Sequence, residues 1–245
     1  MEPTTWLFLI AGILVVAFLY SAVGHAGASG YIAVMTLCGL TTAFIRPTAL
    51  ILNILVASVG SFQFWRAGHF SWSFFWPFAL LSVPCAYLGG YIPVAAGILK
   101  PLIGFVLLFS ASRLFFRHGD PAETRPPMQP VAIGVGGAIG FLSGLTGTGG
   151  GIFLTPLLLF ARWTFTKRAA ATSALFILVN SVAGLLGYLT SGQAVPRFAW
   201  VLALAAVIAG TLGSYLGSRR FPVRTISILL ASVLVIAGFK LIFTR

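Results

Sequence analysis

The chain has 245 residues, 59% hydrophobic and 7% charged, with 15 Lys plus Arg against 3 Asp plus Glu. A soluble domain carries roughly 25% charged residues, so most of this surface cannot face water. In a soluble chain the formal charge of +12 would suggest nucleic acid; here the basic residues are first of all topology signals, and no nucleic-acid partner is expected. At about 20 residues per helical span, the length suffices for about ten crossings and leaves no room for a separate soluble domain.

The opening Met1-Glu2-Pro3-Thr4-Thr5 has no basic stretch, so the first apolar run is read as a retained span rather than a cleaved leader. Apolar runs are predicted at 6–23, 31–45, 47–65, 72–92, 97–116, 131–147, 150–161, 168–190, 197–217 and 222–243. Cys38 and Cys85 lie inside such runs without a metal-ligand partner and read as small hydrophobes. Phe62, Phe64, Trp65, Phe70, Trp72, Phe74, Phe75 and Trp76 crowd around Arg66 and His69, the composition of a membrane interface. The one clearly polar linker starts at Arg117 and divides the runs five and five. It separates units 1–117 and 131–245, joined by 118–130.

Two runs, 31–45 and 150–161, are too short to cross a bilayer core, and each follows a glycine cluster. Gly24, Gly27 and Gly30 match Gly144, Gly147 and Gly150 at an offset of 120; Gly68, Gly89 and Lys100 match Gly192, Gly213 and Arg224 at 124. These ordered matches predict an internal duplication. If every run reverses the chain, ten basic residues share one side against five on the other. The shared side holds Arg66, Arg113, Arg117, Arg125, Arg162, Lys167, Arg168, Arg219, Arg220 and Arg224, against Arg46, Lys100, Arg197, Lys240 and Arg245. The positive-inside rule then predicts a cytoplasmic linker, both termini outside, and two halves inverted relative to each other. The short runs satisfy this parity either as full spans or as re-entrant hairpins.

The segment Gly144 to Gly151 lacks the lysine of a phosphate-binding loop and sits between membrane runs. Irregular backbone at that depth is tolerated where it is buried or lines a cavity, so both clusters mark a pathway. The helix after each cluster offers N–H groups near 28–31 and 149–152 at the positive end of its dipole, which suits an anion. The half-helix before it ends in carbonyls that suit a cation, so local geometry leaves both open. Composition favours the anion, because Glu2, Asp120 and Glu123 are the only acids and all lie outside the runs.

Candidate substrate-binding residues are therefore Gly27, Ala28, Ser29 and Gly30 in the first cluster and Thr146, Thr148, Gly149 and Gly150 in the second, with Ser143 beside them. Asn53 and Asn180, amides inside later spans, and His25, the ionisable group placed near the midplane, complete the set. The plainer alternative has the hydroxyls bonding back to their own helices and each Asn bridging two helices. No catalytic set, metal cluster or cofactor is expected.

The run Gly140-Phe141-Leu142-Ser143-Gly144-Leu145-Thr146-Gly147-Thr148-Gly149-Gly150-Gly151, followed by Pro156, resembles the sulfite exporter TauE/SafE family of membrane transporters. The resemblance extends over nearly the whole chain, with a related segment at Gly24 to Gly30. It implies two related halves and movement of sulfite, sulfonates and related sulfur-containing anions. The first half departs from the pattern, with Ala28 and Ser29 in the glycine run and Thr36 where the repeat would place a proline, which leaves the particular substrate open.

The expectation is thus an all-α polytopic protein of two inverted five-segment repeats with glycine-broken helix hairpins. It would sit in the cell inner membrane and export a small sulfur oxyanion, its partners being that anion and the lipid bilayer. A passive anion channel, or a membrane-embedded enzyme or assembly factor, is the alternative. A homodimer stays open, although the small-residue pairs Gly136/Gly140, Gly140/Gly144 and Gly213/Gly217 more often serve contacts within a chain of this kind.

Overall fold

Away from water, backbone groups must bond among themselves, and an apolar chain does this most directly as helices. The computed structural model describes residues 2–92, 108, 112, 120 and 122–243, with helices and no strand among them. In chain order these are α1 (Pro3–Ala22), α2 (Ala28–Leu37), α3 (Thr42–Arg66), α4 (Trp72–Tyr91), α5 (Gln129–Thr146), α6 (Gly151–Phe160), α7 (Thr166–Thr190), α8 (Ala199–Tyr215) and α9 (Val223–Phe243). A π turn, Leu216–Arg220, extends α8. The predicted run 97–116, and with it the match of Lys100 to Arg224, lies outside the described residues.

Six helices, α1, α3, α4, α5, α7 and α8, are long and apolar enough to cross a membrane. Their outer faces carry large apolar side chains: Leu7, Phe8, Val15, Leu204, Ile208 and Leu212 are each more than half exposed. The two short helices have 10 residues each, about 15 Å of length, half of what a span needs. One boundary differs from the sequence reading. The second break in the first half falls at Gly39, which ends α2 with φ +77°, rather than at Arg46-Pro47. Pro47 stays inside α3, where the missing N–H leaves the carbonyl of Ala43 without its helical donor, and the Tyr188 hydroxyl donates to that carbonyl at 3.1 Å.

The helices pack by close backbone approach. A Cβ at Gly136, Gly140 or Gly144 of α5 would run into the carbonyls of Phe78, Ser82 and Ala86 of α4, and one at Gly89 of α4 would meet the carbonyl of Phe141. Gly213 and Gly217 stand in the same relation to the carbonyls of Phe18 and Ala22 of α1. The small-residue pairs thus serve contacts within the chain. The first helix of each half lies along the fourth helix of the other, and α3 and α7 cross at the centre, where Gly60 faces the Ala174 Cβ. In both halves the third helix has 25 residues and is followed by a glycine in the left-handed region, Gly68 at φ +78° and Gly192 at φ +83°.

Contacts between loops gather the basic residues at one end of the bundle. His69 Nε2 bonds the Ser218 carbonyl at 3.0 Å, Lys167 Nζ donates to the same carbonyl at 3.5 Å, Arg125 N donates to the Arg162 carbonyl at 2.9 Å, and Asp120 accepts from the Thr166 N–H at 2.8 Å. At the opposite end Trp6 and Phe44 both pack edge-on against Phe198, and the Tyr87 hydroxyl meets that of Thr190. Arg66, Arg125, Arg162, Lys167, Arg168, Arg219, Arg220 and Arg224 therefore share one end, with Arg46 and Arg197 at the other, among the described residues. Aromatic side chains ring the basic end as expected, Phe70, Trp72 and Phe75 in mutual contact and Trp65 exposed.

The packing separates two glycines on one helix. Gly140→Val should destabilise the detergent-solubilised protein by about 1–3 kcal/mol, the usual cost of overpacking, because a backbone carbonyl cannot move aside as a side chain can. Gly134→Val, in open space on the same helix, should leave the thermal unfolding midpoint unchanged. Equal midpoints for the two variants would refute backbone contact as the basis of the α4–α5 interface.

Candidate functional site

Three glycines of the second break, Gly147, Gly149 and Gly150, have φ between +73° and +82°, a region nearly closed to other residues. This left-handed stretch breaks the chain between α5 and α6 and leads into the N-terminus of α6, whose first N–H groups have no acceptor within the helix. Around it stand α3, α5 and α7. A Cβ on Gly149 would lie 2.7 Å from Ile177 Cγ2, 2.9 Å from Ser181 Oγ and 3.0 Å from Asn53 Nδ2, and one on Gly150 would lie 3.3 Å from Ser143 Cβ. The backbone of the break is thus in contact with an amide and a hydroxyl on the two crossing helices.

Several of these polar groups are buried without a partner. Asn53 is fully buried; its Nδ2 donates to Ser181 Oγ over 3.4 Å and its Oδ1 accepts nothing. Asn180, also fully buried, accepts from Ser82 Oγ at 2.6 Å and leaves Nδ2 unpaired. The hydroxyls of Ser21, Ser143 and Thr172 are in the same state. Each such group costs about 1–3 kcal/mol. A bundle built only for stability gains nothing from them.

The first break, between α1 and α2, reaches the second half through His25. Its Nε2 lies 2.8 Å from Thr155 Oγ1 on α6, and the Thr155 hydroxyl donates to Ser173 Oγ on α7 at 2.6 Å. Because the Thr155 proton is committed to Ser173, Nε2–H of His25 is the donor to Thr155. That tautomer leaves Nδ1 as a bare acceptor, buried and unpaired. The other predicted residues of the first cluster face their own hairpin. A Cβ on Gly27 or Gly30 would meet Val16, Tyr31 or Tyr20, and Ser29 Oγ is 2.9 Å from the Tyr20 hydroxyl. Ala28 is buried at the start of α2. In the second cluster Thr146 bonds back to the Leu142 carbonyl at 2.7 Å and to Thr148 at 2.8 Å, as the plainer alternative anticipates for hydroxyls. Gly149, Gly150 and Asn53 are therefore the predicted residues grouped at the second break, Asn180 bonds Ser82 of α4, and His25 joins the two breaks.

Arg46 is the group that sequence reasoning counted only as a topology charge. Its Nη2 donates to the carbonyls of Gly89 and Gly90 at 3.0 Å each and of Gly144 at 2.6 Å, so one guanidinium covers the C-terminal carbonyls of both α4 and α5. It also lies over the Tyr188 ring, 5.5 Å from the centroid, and its Cγ would stand 3.1 Å from a Cβ on Gly147. A cation near the start of a helix is disfavoured by that helix's own dipole. Arg46, in the second turn of α3, therefore serves its neighbours, and that misplacement is the signal the sequence offered.

Long apolar helices, two glycine-broken hairpins and polar groups converging between them define a multi-pass helical membrane protein. Residues 8–241 match the model of the sulfite exporter TauE/SafE family, and the chain belongs to that family, one of membrane transporters. Similar chains include the probable membrane transporter protein y4hK of Sinorhizobium fredii, 40% identical over 242 residues that cover 96% of this chain and 97% of the relative. A probable membrane transporter protein of Methanocaldococcus jannaschii is 28% identical, covering 80% of this chain and 77% of its own. YjnA of Bacillus subtilis, also named a probable membrane transporter protein, is 25% identical over 94% and 96%. No solved structure is a significant match. The protein is a membrane transporter.

Removing the Arg46 charge should expose what it holds. Arg46→Met should lower the stability of the detergent-solubilised protein by about 1.5–3 kcal/mol, the worth of hydrogen bonds to a charged group. Arg46→Lys should fall between, since an ammonium keeps the charge but not the planar fork. An unfolding midpoint unmoved by Arg46→Met would mean that the three carbonyls do not depend on the guanidinium.

Proposed function

We propose that this transporter exports a small sulfur oxyanion, sulfite or an organosulfonate, across a cell inner membrane through a site at the second break. The observation that carries the reading is the Arg46 contact. The carbonyls of Gly89, Gly90 and Gly144, which would otherwise suit a cation, already receive a guanidinium, whereas no carboxylate lies within a described helix to neutralise the α6 N-terminus. The local electrostatic balance at the break is positive. In this reading the N–H groups of Gly149 and Gly150 and the amides of Asn53 and Asn180 meet the anionic oxygens. The bare Nδ1 of His25 accepts from a substrate that carries a proton. Thr146 and Thr148 border the site, while Gly27, Ala28, Ser29 and Gly30 hold the opposite hairpin in place.

The same reading treats the halves as inverted repeats, 1–117 and 131–245, with both termini outside and the 118–130 linker in the cytoplasm. Support comes from the matched helix lengths, the paired left-handed glycines Gly68 and Gly192, and the exchange of first and fourth helices between halves. The clustering of basic residues at the linker end supports the orientation.

Export needs no coupling ion. Each negative charge leaving a cell gains about 2.3 kcal/mol per 100 mV, so a dianion gains about 4.6, more than a thousandfold in gradient. In proteoliposomes with a potassium-diffusion potential, sulfite or sulfonate flux should follow the voltage, saturate with concentration, and disappear in Gly149→Leu, whose side chain would fill the space beside Asn53 and Ser181. Flux that is indifferent to voltage and strictly dependent on a proton gradient would overturn facilitated export; near-normal flux in Gly149→Leu would remove the site.

The orientation has its own check. A single cysteine at Thr124, in a background without Cys38 and Cys85, should be protected from impermeant reagents added to intact spheroplasts and should label after lysis. Labelling in intact spheroplasts would reverse the orientation.

A further inference from the structure

Away from both breaks, at the basic end, the outer faces of α3 and α8 leave a groove of about 650 Å³. Its walls change character along their length. Arg66 and Arg219, both exposed, stand at its mouth, and Val59 and Phe62 line it further in. From Arg66 back to Val59 is about 10 Å along a helix axis, so the groove runs inward from the membrane edge into the apolar zone. Its parts are held in place: Gln63 Nε2 donates to the Thr211 carbonyl at 3.3 Å across the two helices, and Arg219 lies over the Tyr215 ring, 5.4 Å from its centroid.

Among the described residues no carboxylate faces the two guanidiniums. Glu2 is at the opposite end, Asp120 is bonded to Thr166, and Glu123 lies exposed in the linker. A phosphate would meet both cations, and the apolar walls below them would meet a hydrocarbon chain. Basic pockets between membrane helices on the positively charged side of a protein have the chemistry of anionic headgroup sites. A second copy of this chain fits less well. A two-fold dimer through this face would set the same two cations against their own symmetry mates, with no acid to separate them.

We propose that the groove between α3 and α8 binds an anionic phospholipid, its phosphate between Arg66 and Arg219 and one acyl chain along Val59 and Phe62. The lipid belongs to the leaflet at the basic end and neutralises charge that the chain itself leaves unpaired. It occupies a surface distinct from the path between the broken hairpins, so its binding does not depend on which anion is carried.

The test uses the full chain extracted from bilayers of phosphatidylcholine doped with phosphatidylglycerol, with retained lipid read by native mass spectrometry. The wild type should keep phosphatidylglycerol in preference to phosphatidylcholine. The double variant Arg66→Gln, Arg219→Gln should lose about tenfold or more of that retention, two surface cations' worth. Arg168→Gln, at the same end but outside the groove, should lose none. Should the double variant fail to fold, Val59→Trp fills the groove with both charges kept and carries the same expected loss. Equal retention by wild type and the groove variants would overturn the proposal. So would an equal loss in Arg168→Gln, which would reduce the effect to general surface attraction. Spontaneous disulfide cross-linking of Phe62→Cys between two copies would put a second protomer in the groove and overturn it as well.

Discussion

One guanidinium ties together the helices that surround the second break. Helices that break or end within an apolar zone present carbonyls with no donor, and near the second break three of these, on Gly89, Gly90 and Gly144, converge from α4 and α5. Arg46 reaches from α3 to all three and is itself steadied by the Tyr188 ring of α7, so four helices meet through a single side chain. The close approach of α4 and α5 through Gly89, Gly140 and Gly144 brings those carbonyls within its reach. Glycine packing and charge placement therefore depend on each other.

The consequence is electrostatic. A broken membrane hairpin normally offers a negative end and a positive end side by side, and either sign of ligand can use it. With the negative end occupied by a cation, the remaining field at the start of α6 is positive on both counts. Among the buried groups without a partner, Asn53 and Ser143 lie beside Gly149 and Gly150 at that break. The two amides differ in what they lack: Asn180 has a free donor, its Nδ2, which an acceptor oxygen could satisfy, whereas the free atom of Asn53 is its Oδ1, which needs a donor.

The two breaks are not equivalent, although their spacing is. Gly27 and Gly30 are small because Val16, Tyr20 and Tyr31 of the same hairpin press on them, whereas Gly149 is small because Asn53, Ser181 and Ile177 from the crossing helices do. The first hairpin meets the second half through Gly24, packed on Ala170 of α7, and through His25, which reaches a hydroxyl pair on α6 and α7.

What could be read from sequence follows the same division. Membrane helices, short segments after glycine clusters and the grouping of basic residues rest on length, composition and local backbone rules, and the structure has all three. The glycine pairs at spacing four were legible as close contacts, though not which helix each would meet. Asn53 and Asn180 stood out as amides in apolar runs; their partners Ser181 and Ser82 did not, because a serine in a membrane helix ordinarily bonds its own backbone. Arg46 was hidden by its neighbour. Arg46-Pro47 reads as a loop, since proline and a charge together usually end a helix, but Gly39 had already made the turn, and the proline could be kept because Tyr188 supplies a hydroxyl to the carbonyl it leaves free. A residue placed at the membrane edge by local rules is thereby drawn one turn or more into the bundle, where its charge acts on other helices. Long-range hydrogen bonds of this kind leave no periodic trace in a single sequence. The trace that does remain is a local preference violated, here a cation near a helix N-terminus, and in an apolar chain with so few charges such a violation is a sign that the residue answers to a distant partner.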